Sequence, residues 1–301
     1  FERLTSEGEW HQSYDHGAAV EFQYVSRDLR YILIGVLKPS RDEAGRRYPF
    51  IAGAILPSES VAGYLHVAPI AYEVFFDGLR EQVSTAIDNS VEALSCRQFL
   101  ESHLRTSDTA VADLDLAKSV VLHFMGATTV KQLHDLLATD ERSSSLEQAL
   151  LNIAFYRAFL RRFDNLSTNQ IILLPLPKDK GEQPLVASAW LSILNALWHG
   201  AKEKQAWRCN FLMLQSPLSG SAMLAACFGK ANENLTSMML GKKMDAPMLL
   251  DLSNEQAAWS NHLMYAEVSY ALGRVLADPT LSLSGLCEFL QDVGRKLDDS
   301  G

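Results

Sequence analysis

Alternating and short apolar segments occupy the first part of the chain and predict strands. Residues 18–26 alternate, with Val20, Phe22 and Tyr24 on one side of the segment and Glu21 and Gln23 on the other, which is typical of a half-buried strand. Residues 31–37 and 49–56 are apolar runs of strand length. The connections between these segments are too short for crossover helices, so the sequence predicts a three-stranded antiparallel meander.

We expect one face of this meander to pack against helices from the later chain, because successive side chains of a strand point to opposite faces. The opposite face should then carry the neighbouring residues of each strand. The residues expected to face the helices are Phe22, Tyr24, Ile32, Ile34, Val36, Phe50, Ala52 and Ala54.

The middle of the chain has the periodicity of amphipathic helices. After a loop at 57–69, residues 70–87 place an apolar stripe on one face, and residues 91–104 continue this pattern. Two shorter helices are predicted at 113–124 and 129–137, with Gly126 as a C-cap and Thr129 as an N-cap. The serines at 143–145 indicate a capping box before a helix at 146–163. The stripe of the first helix consists of Val74, Phe75, Leu79, Val83 and Ile87.

The last part of the chain returns to strands. Residues 170–174, 209–215 and 221–228 are apolar runs that predict strands, and helices are predicted at 185–199, 232–240, 255–276 and 284–297. The helix at 255–276 has an apolar stripe formed by Ala258, Leu263, Tyr265, Val268, Leu272 and Leu276.

Strands followed by helices and then by strands and helices again indicate an α/β or α+β fold. We expect a largely antiparallel central sheet flanked by helices, with a helical insertion. The expected parts are a strand meander at 1–69, a helical region at 70–165 and a second sheet-and-helix half at 166–301, which together form one continuous domain in one interpretation. A separate helical domain is the alternative.

Charge and composition narrow the classes of function. The 301 residues carry a formal net charge of -9, which argues against a general nucleic-acid binder because such proteins present a basic face. No apolar run approaches the ~18 residues that a membrane span needs. The four cysteines, at positions 96, 209, 227 and 287, lie far apart in apolar segments. We expect them to be buried and reduced.

Motifs that carry chemistry are absent from the sequence. Ser219 and Ser221 flank Gly220 without forming a G-x-S-x-G elbow, and no phosphate-binding loop is present. The eight histidines show no H-E-x-x-H spacing. We therefore predict no catalytic residues, no cofactor and no metal site. An enzyme whose site is assembled from residues distant in sequence, such as a hydrolase, stays the alternative.

One polar cluster stands out, in the loop between the two apolar runs. In one interpretation it is a solvated turn whose charges pair locally, with Asp42 capping the turn or holding Arg46. In the other it is a recognition tip, because arginines bind carboxylates or phosphorylated groups through paired N–H donors. The candidate partner-binding residues are Lys38, Ser40, Arg41, Asp42, Arg46 and Arg47. Gly45 is expected at positive φ.

The same stretch resembles a known family. Residues 35–50 resemble the segment of the type VI secretion-associated TagF (ImpM) family that reads roughly G-V-x-x-P-S-x-D-x-x-G-R-x-(F/Y)-P. A weaker similarity covers residues 211–241. The positions that fall on the pattern in register are Gly35, Val36, Pro39, Ser40, Asp42, Gly45, Arg46, Tyr48 and Pro49.

The resemblance implies a function by protein contact. It implies a non-enzymatic accessory or regulatory protein of a bacterial type VI secretion system, acting in the cytoplasm as a post-translational repressor of assembly. A forkhead-associated scaffold protein, or another component of the secretion system, is the implied partner. The resemblance does not specify the oligomeric state.

Overall fold

The three N-terminal strands form the predicted antiparallel meander. They are β1 (Val20–Val25), β2 (Tyr31–Lys38) and β3 (Phe50–Pro57), and β2 pairs with both neighbours. The structure is a computed structural model. It describes residues 14, 17–26, 28–42, 44–89, 95, 97–98, 100–102, 114–137, 146–161, 171–199, 209–215, 221–228, 238, 249–251 and 261–299.

The helices of the described chain follow β3 and alternate with the later strands. A 3-10 helix at Ala62–Val67 separates the first two. The helices are α1 (Ser58–Val61), α2 (Ala68–Ala71), α3 (Glu73–Asp88), α4 (Leu114–Ala127), α5 (Val130–Leu137), α6 (Leu146–Arg161), α7 (Gln183–His199), α8 (Tyr265–Leu276) and α9 (Leu283–Asp299). The later strands are β4 (Ile171–Pro175), β5 (Cys209–Gln215), β6 (Ala222–Phe228) and β7 (Leu249–Asp251).

The described strands form one sheet in the order β3-β2-β1-β5-β6-β4-β7. All neighbours pair antiparallel except β4 and β7, which run parallel. The pairing of β1 with β5 joins the N-terminal meander to the strands of the second half. This arrangement confirms a mixed α/β fold with a largely antiparallel central sheet flanked by helices. The three-part division of the chain stays a prediction.

Apolar clusters pack on both faces of the sheet. The larger cluster packs one face of the strands against α3, α4, α6, α7 and α9, with Trp190 of α7 fully buried. The smaller cluster lies on the opposite face, where Tyr14 and Met238 pack on the strands. Trp190 Nε1 also donates a hydrogen bond to the Pro175 carbonyl at 2.9 Å, so α7 is anchored to the end of β4 by packing and by a polar contact.

The expected orientation is correct for β2 and β3 and wrong for two residues of β1. Ile32, Ile34, Val36 and Ala52 face the helices, with Phe50 and Ala54 partly buried beside them. Phe22 and Tyr24 lie in the opposite cluster. The cause is the register, because Gln23 lies opposite Ile34 and cross-strand partners share a face. A shift of one residue reverses every side chain of a strand, and here the turn between the strands, with Leu29 at φ 62°, sets the register.

Three expectations about the helical segments need correction. The segment after β3, expected as a loop, is helical from Ser58 to Ala71. Val74 is 83% exposed and does not belong to the apolar stripe of α3, which is formed with Phe76 instead. Leu263 is 98% exposed because α8 begins only at Tyr265. For α3 and α8 the apolar pattern predicted a helix, but tertiary packing set its orientation or its first turn. The helices between Ser58 and Ala71 were not predicted.

Of the predicted helix caps, Thr129 is confirmed and Gly126 is wrong. Thr129 caps α5, since its hydroxyl accepts a hydrogen bond from Gln132 N–H at 3.2 Å and Gln132 Oε1 accepts one from Thr129 N–H at 2.8 Å. Gly126 lies inside α4, which runs to Ala127, and is not its C-cap. The capping serines at 143–145 lie outside the described residues, as does the predicted helix at 232–240 apart from Met238, which is helical.

The remaining expectations concern membrane spans and cysteines. Among the described residues, no helix has the length and apolar character needed to cross a membrane. Cys227 is a buried free thiol and Cys287 a half-buried one. Burial raises the pKa of Cys227 to about 11 and that of Cys287 to about 12, so neither thiol has the thiolate character of a reactive cysteine.

Candidate functional site

The charged tip, residues 38–47, continues the β2–β3 hairpin and ends in a turn around Asp42. The Asp42 Oδ1 atom accepts hydrogen bonds from the backbone N–H of Ala44 at 3.0 Å and of Arg46 at 2.8 Å. Its Oδ2 atom accepts one from Arg46 Nε at 2.7 Å. Gly45 N–H donates to the Asp42 carbonyl at 2.9 Å. One carboxylate therefore fixes the turn and one guanidinium, as one of the two sequence interpretations predicted.

Ser40 joins the two arms of the hairpin below this turn. Its hydroxyl donates to the Tyr48 carbonyl at 2.5 Å, and Tyr48 N–H donates to the Ser40 carbonyl at 3.1 Å. The Tyr14 hydroxyl lies 3.2 Å from both the backbone nitrogen and the carbonyl oxygen of Ser40. Tyr14 is itself buried in the smaller apolar cluster. The tip is thus tied to the body of the protein through a buried ring.

The charges of the tip are held by local partners. Lys38 Nζ lies 3.2 Å from Asp88 Oδ1 at the end of α3, and the Arg46 guanidinium lies 5.7 Å from the centre of the Tyr48 ring. Desolvation raises the pKa of Asp42, but the hydrogen bonds from the Arg46 backbone and guanidinium outweigh it, so this pKa lies below its usual value. The hydrogen bond with Asp42 raises the pKa of Arg46.

All six candidate residues lie together on this hairpin. Arg41 and Arg47 form an isolated antiparallel bridge across it, and the Arg46 side chain is 68% exposed. The fold therefore presents three arginine side chains at the end of two paired strands. Guanidinium groups in this arrangement suit carboxylates and phosphorylated groups, which accept paired N–H donors.

Two glycines of the motif, Gly35 and Gly45, are each required by the structure for a different reason. A Cβ atom on Gly35 would lie 2.3 Å from the Ala52 carbonyl oxygen and 2.9 Å from Gly53 Cα, so no side chain fits between β2 and β3 at this point. Gly45 has φ 76° and open space around it, which confirms the expected positive φ. Its requirement for glycine is conformational, because other residues are disfavoured in the left-handed region.

Replacing Gly45 with alanine should therefore destabilise the protein by roughly 1–2 kcal/mol. Gly126→Ala is the matched control, since Gly126 lies in α4 with open space around it and alanine there should stabilise the protein by roughly 0.5–1 kcal/mol. Chemical denaturation of both variants measures the two effects. Equal and stabilising effects of the two alanines would show that the turn does not need positive φ.

A polar cluster between β1 and α3 was missed by the sequence interpretation. Glu21 faces the helices from β1 and is 6% exposed. Arg80 of α3 forms ion pairs with both Glu21 and the exposed Asp77. In the sequence, Glu21 resembled the polar side of a half-buried strand. The one available signal was the apolar character of both faces of β2, which implies that β1 beside it is also covered on both sides.

Burial dominates the electrostatics of this cluster. Desolvation raises the pKa of Glu21 to about 7, because the favourable charge of Arg80 does not compensate for burial and the carboxylates of Asp77 and Glu73 add to the increase. Burial also raises the pKa of Glu73. Within the described ranges, no group of three or more histidine, cysteine or acidic side chains has the geometry of a metal site. The cluster is an ion pair between the sheet and α3.

Comparison with known proteins gives one match. Residues 2–103 match the family model of the TagF N-terminal domain, described as type VI secretion system-associated. The match contains the whole β1–β3 meander, the charged tip and α3. No curated protein and no solved structure matches the chain. This match confirms the resemblance carried by residues 35–50, and residues 2–103 of this chain are similar to the TagF N-terminal domain, which is associated with type VI secretion.

Proposed function

We propose that the chain is a non-enzymatic accessory protein of a bacterial type VI secretion system, acting in the cytoplasm as a post-translational repressor of assembly. The observation that carries the proposal is the match of residues 2–103 to the TagF N-terminal domain. The described part of this domain consists of paired strands, a rigid hairpin end and covering helices. Among the described residues of this segment, the carboxyl with a strongly raised pKa, Glu21, is buried and paired with Arg80, whereas the exposed polar groups of the tip suit binding.

The charged tip is the proposed contact with the partner. Asp42, Ser40 and Tyr14 hold its backbone in one conformation, so little conformational freedom is lost when a partner binds. Three arginines project from this backbone. They fit a carboxylate-rich or phosphorylated surface on another component of the secretion system. A forkhead-associated scaffold protein is the partner implied by the TagF resemblance.

The proposal is tested with the double variant Arg46→Glu/Arg47→Glu. Capture of type VI components by the tagged full chain, identified by mass spectrometry, should fall at least about tenfold, since charge reversal at a desolvated arginine contact costs more than ~1.4 kcal/mol of binding free energy. In a strain that lacks the protein, the wild-type chain should restore repression of secretion and the variant should not. Thermal melts and circular dichroism check that the variant is folded.

A matched control is available on the last helix. Arg295 and Lys296 are adjacent exposed cations of α9, so Arg295→Glu/Lys296→Glu changes the net charge by the same amount at a distant position. Capture should be unchanged in this control. Normal capture by the folded tip variant would contradict the tip as the interface, and a chain that neither binds type VI components nor affects secretion would contradict the proposed function.

A further inference from the structure

Within the part of the chain that the structure describes, the outer strand β3 presents an edge without the usual protection. It lies at the end of the described sheet and pairs with β2 alone. Among the described residues, none forms a hydrogen bond with its outward backbone groups. Its eight residues carry no charge, and its only proline, Pro57, is the last of them. Natural edge strands usually carry charges, prolines or bulges that prevent pairing with another chain.

Exposed apolar side chains lie along this edge, on the face away from the helices. Ile55 is 69% exposed and Ile51 is 49% exposed. Tyr31, on the neighbouring strand β2 and the same face, is 46% exposed. The two isoleucines lie on the same face of an uncharged edge strand. The backbone of this strand has free pairing groups among the described residues, and its exposed isoleucine side chains favour burial.

We propose that two copies of this chain pair through β3, in antiparallel orientation, about a two-fold axis at Gly53. The sheet would then continue from one copy into the other. Because the axis is perpendicular to the sheet, the helices of both copies lie on the same side. Residues that lie opposite each other across this interface point to the same face of the sheet. Their residue numbers are therefore both odd or both even.

The sequence of β3 is complementary to itself in this register. With Gly53 opposite Gly53 of the second copy, Ile51 of each chain lies opposite Ile55 of the other, and the apolar pairs form twice. Moving the axis to Ala54 would place Ile55 opposite glycine and Ile51 opposite Pro57. Cross-strand pairs of β-branched residues are among the stabilising pairs of antiparallel sheets, which favours the axis at Gly53.

The ends of β3 carry opposite charges, which favours antiparallel pairing over parallel pairing. Arg47 precedes the strand, next to the ion pair of Arg46 with Asp42, and the exposed Glu59 follows it in α1. Asp28 and Arg30 also lie near the second end, where Ser58 N–H donates to the Arg30 carbonyl at 2.9 Å, and their charges offset each other. In the antiparallel dimer, each arginine end lies beside the Glu59 end of the other copy. Parallel pairing would place like charges together.

The interface is small, because each copy contributes one strand and few exposed side chains. Stable complexes usually bury about 1,200–2,000 Å², and one strand pair lies at the lower end of this range. The dimer should therefore dissociate on dilution. This dependence on concentration is the first expected result, measured by sedimentation velocity of the full chain as a weight-average mass that rises from one chain towards two.

Ile55→Lys is the decisive variant, because its exposed position allows the change without loss of folding. It should raise the dissociation constant at least about tenfold, since two lysines then oppose the two Ile51 side chains. Leu263→Lys, at a side chain that is 98% exposed elsewhere, is the matched control and should leave the dimer unchanged. A monomer at all concentrations, or equal effects of the two lysines, would overturn the proposal.

A charge exchange tests the orientation. Arg47→Glu and Glu59→Arg should each weaken the dimer, and the double variant should restore it, because the two charges meet across the antiparallel interface. Hydrogen exchange of the β3 amides should slow as concentration rises. Failure of the double variant to recover, or β3 amides that exchange at the same rate at all concentrations, would contradict this interface. Capture of type VI components by the Ile55→Lys variant is measured in parallel. This measurement distinguishes a failure of dimerisation through β3 from a failure of the proposed function.

Discussion

Gly35→Ala is expected to destabilise the N-terminal meander by about 4 kcal/mol or more, at the upper end of single substitutions. A Cβ atom there meets the Ala52 carbonyl oxygen at 2.3 Å and Gly53 Cα at 2.9 Å. Both obstacles are backbone atoms of β3, so no change of rotamer relieves the contact. The strands must separate, which breaks the pairing of β2 with β3 and displaces the charged tip between them.

Two further variants separate this cause from others. The Phe22 ring also lies 3.0 Å from the same position, and Phe22→Leu should fail to rescue Gly35→Ala because the backbone contacts persist. Gly63→Ala is the control, since nothing lies within 4 Å of a Cβ atom there. Chemical denaturation measures the free energy of unfolding of Gly35→Ala, of Gly35→Ala combined with Phe22→Leu, and of Gly63→Ala. Rescue by Phe22→Leu would identify the ring as the obstacle, and a loss below about 1 kcal/mol would refute the close backbone approach.

Glu21 is expected to make the stability of the protein fall as pH rises from about 4.5 to about 7. The pKa of Glu21 is raised in the folded protein to about 7 from its ordinary value of 4.5, so the folded state binds the proton more tightly than the unfolded state in this interval. The free energy of unfolding therefore decreases with rising pH. At ~1.4 kcal/mol per pKa unit, this contribution reaches roughly 3 kcal/mol and is constant above the folded pKa.

Glu21→Gln isolates this contribution, because glutamine resembles the protonated acid in shape and charge. The difference in unfolding free energy between variant and wild type should move in favour of the variant as pH rises from 4.5 to 7. Asp77→Asn is the control, since Asp77 contacts the same Arg80 but is exposed. A difference that moves in favour of the wild type would show that the Arg80 ion pair outweighs the burial of Glu21.

The turn of the charged tip could be predicted from its sequence motif, but the role of the tip could not. The pattern predicted a turn with Gly45 at positive φ, and the structure confirms it. It did not distinguish a recognition site from a structural turn. Asp42 and Ser40 serve the turn itself, so their presence in the motif has an architectural cause, whereas Arg41 and Arg47 lie across the hairpin end as candidates for binding.

The buried cluster around Glu21 lay beyond sequence interpretation for a different reason. Alternation separates the two faces of a strand but does not say which face meets which layer. The turn holding Leu29 places Glu21 and Gln23, rather than Phe22 and Tyr24, against the helices. Likewise, β7 has three residues, too few for a hydrophobic period to identify them.

The sequence by itself determined the local elements of this protein. Apolar period, glycine and proline positions and capping residues act over a few neighbouring residues, so they predicted the strands of the meander, the later strands except β7, and most helices. The tertiary structure alone decided the order of the strands, the face that each strand buries, the pKa of Glu21 and the exposed edge of β3. Each of these depends on residues distant in the chain, such as Arg80 beside Glu21, whose proximity no local pattern encodes.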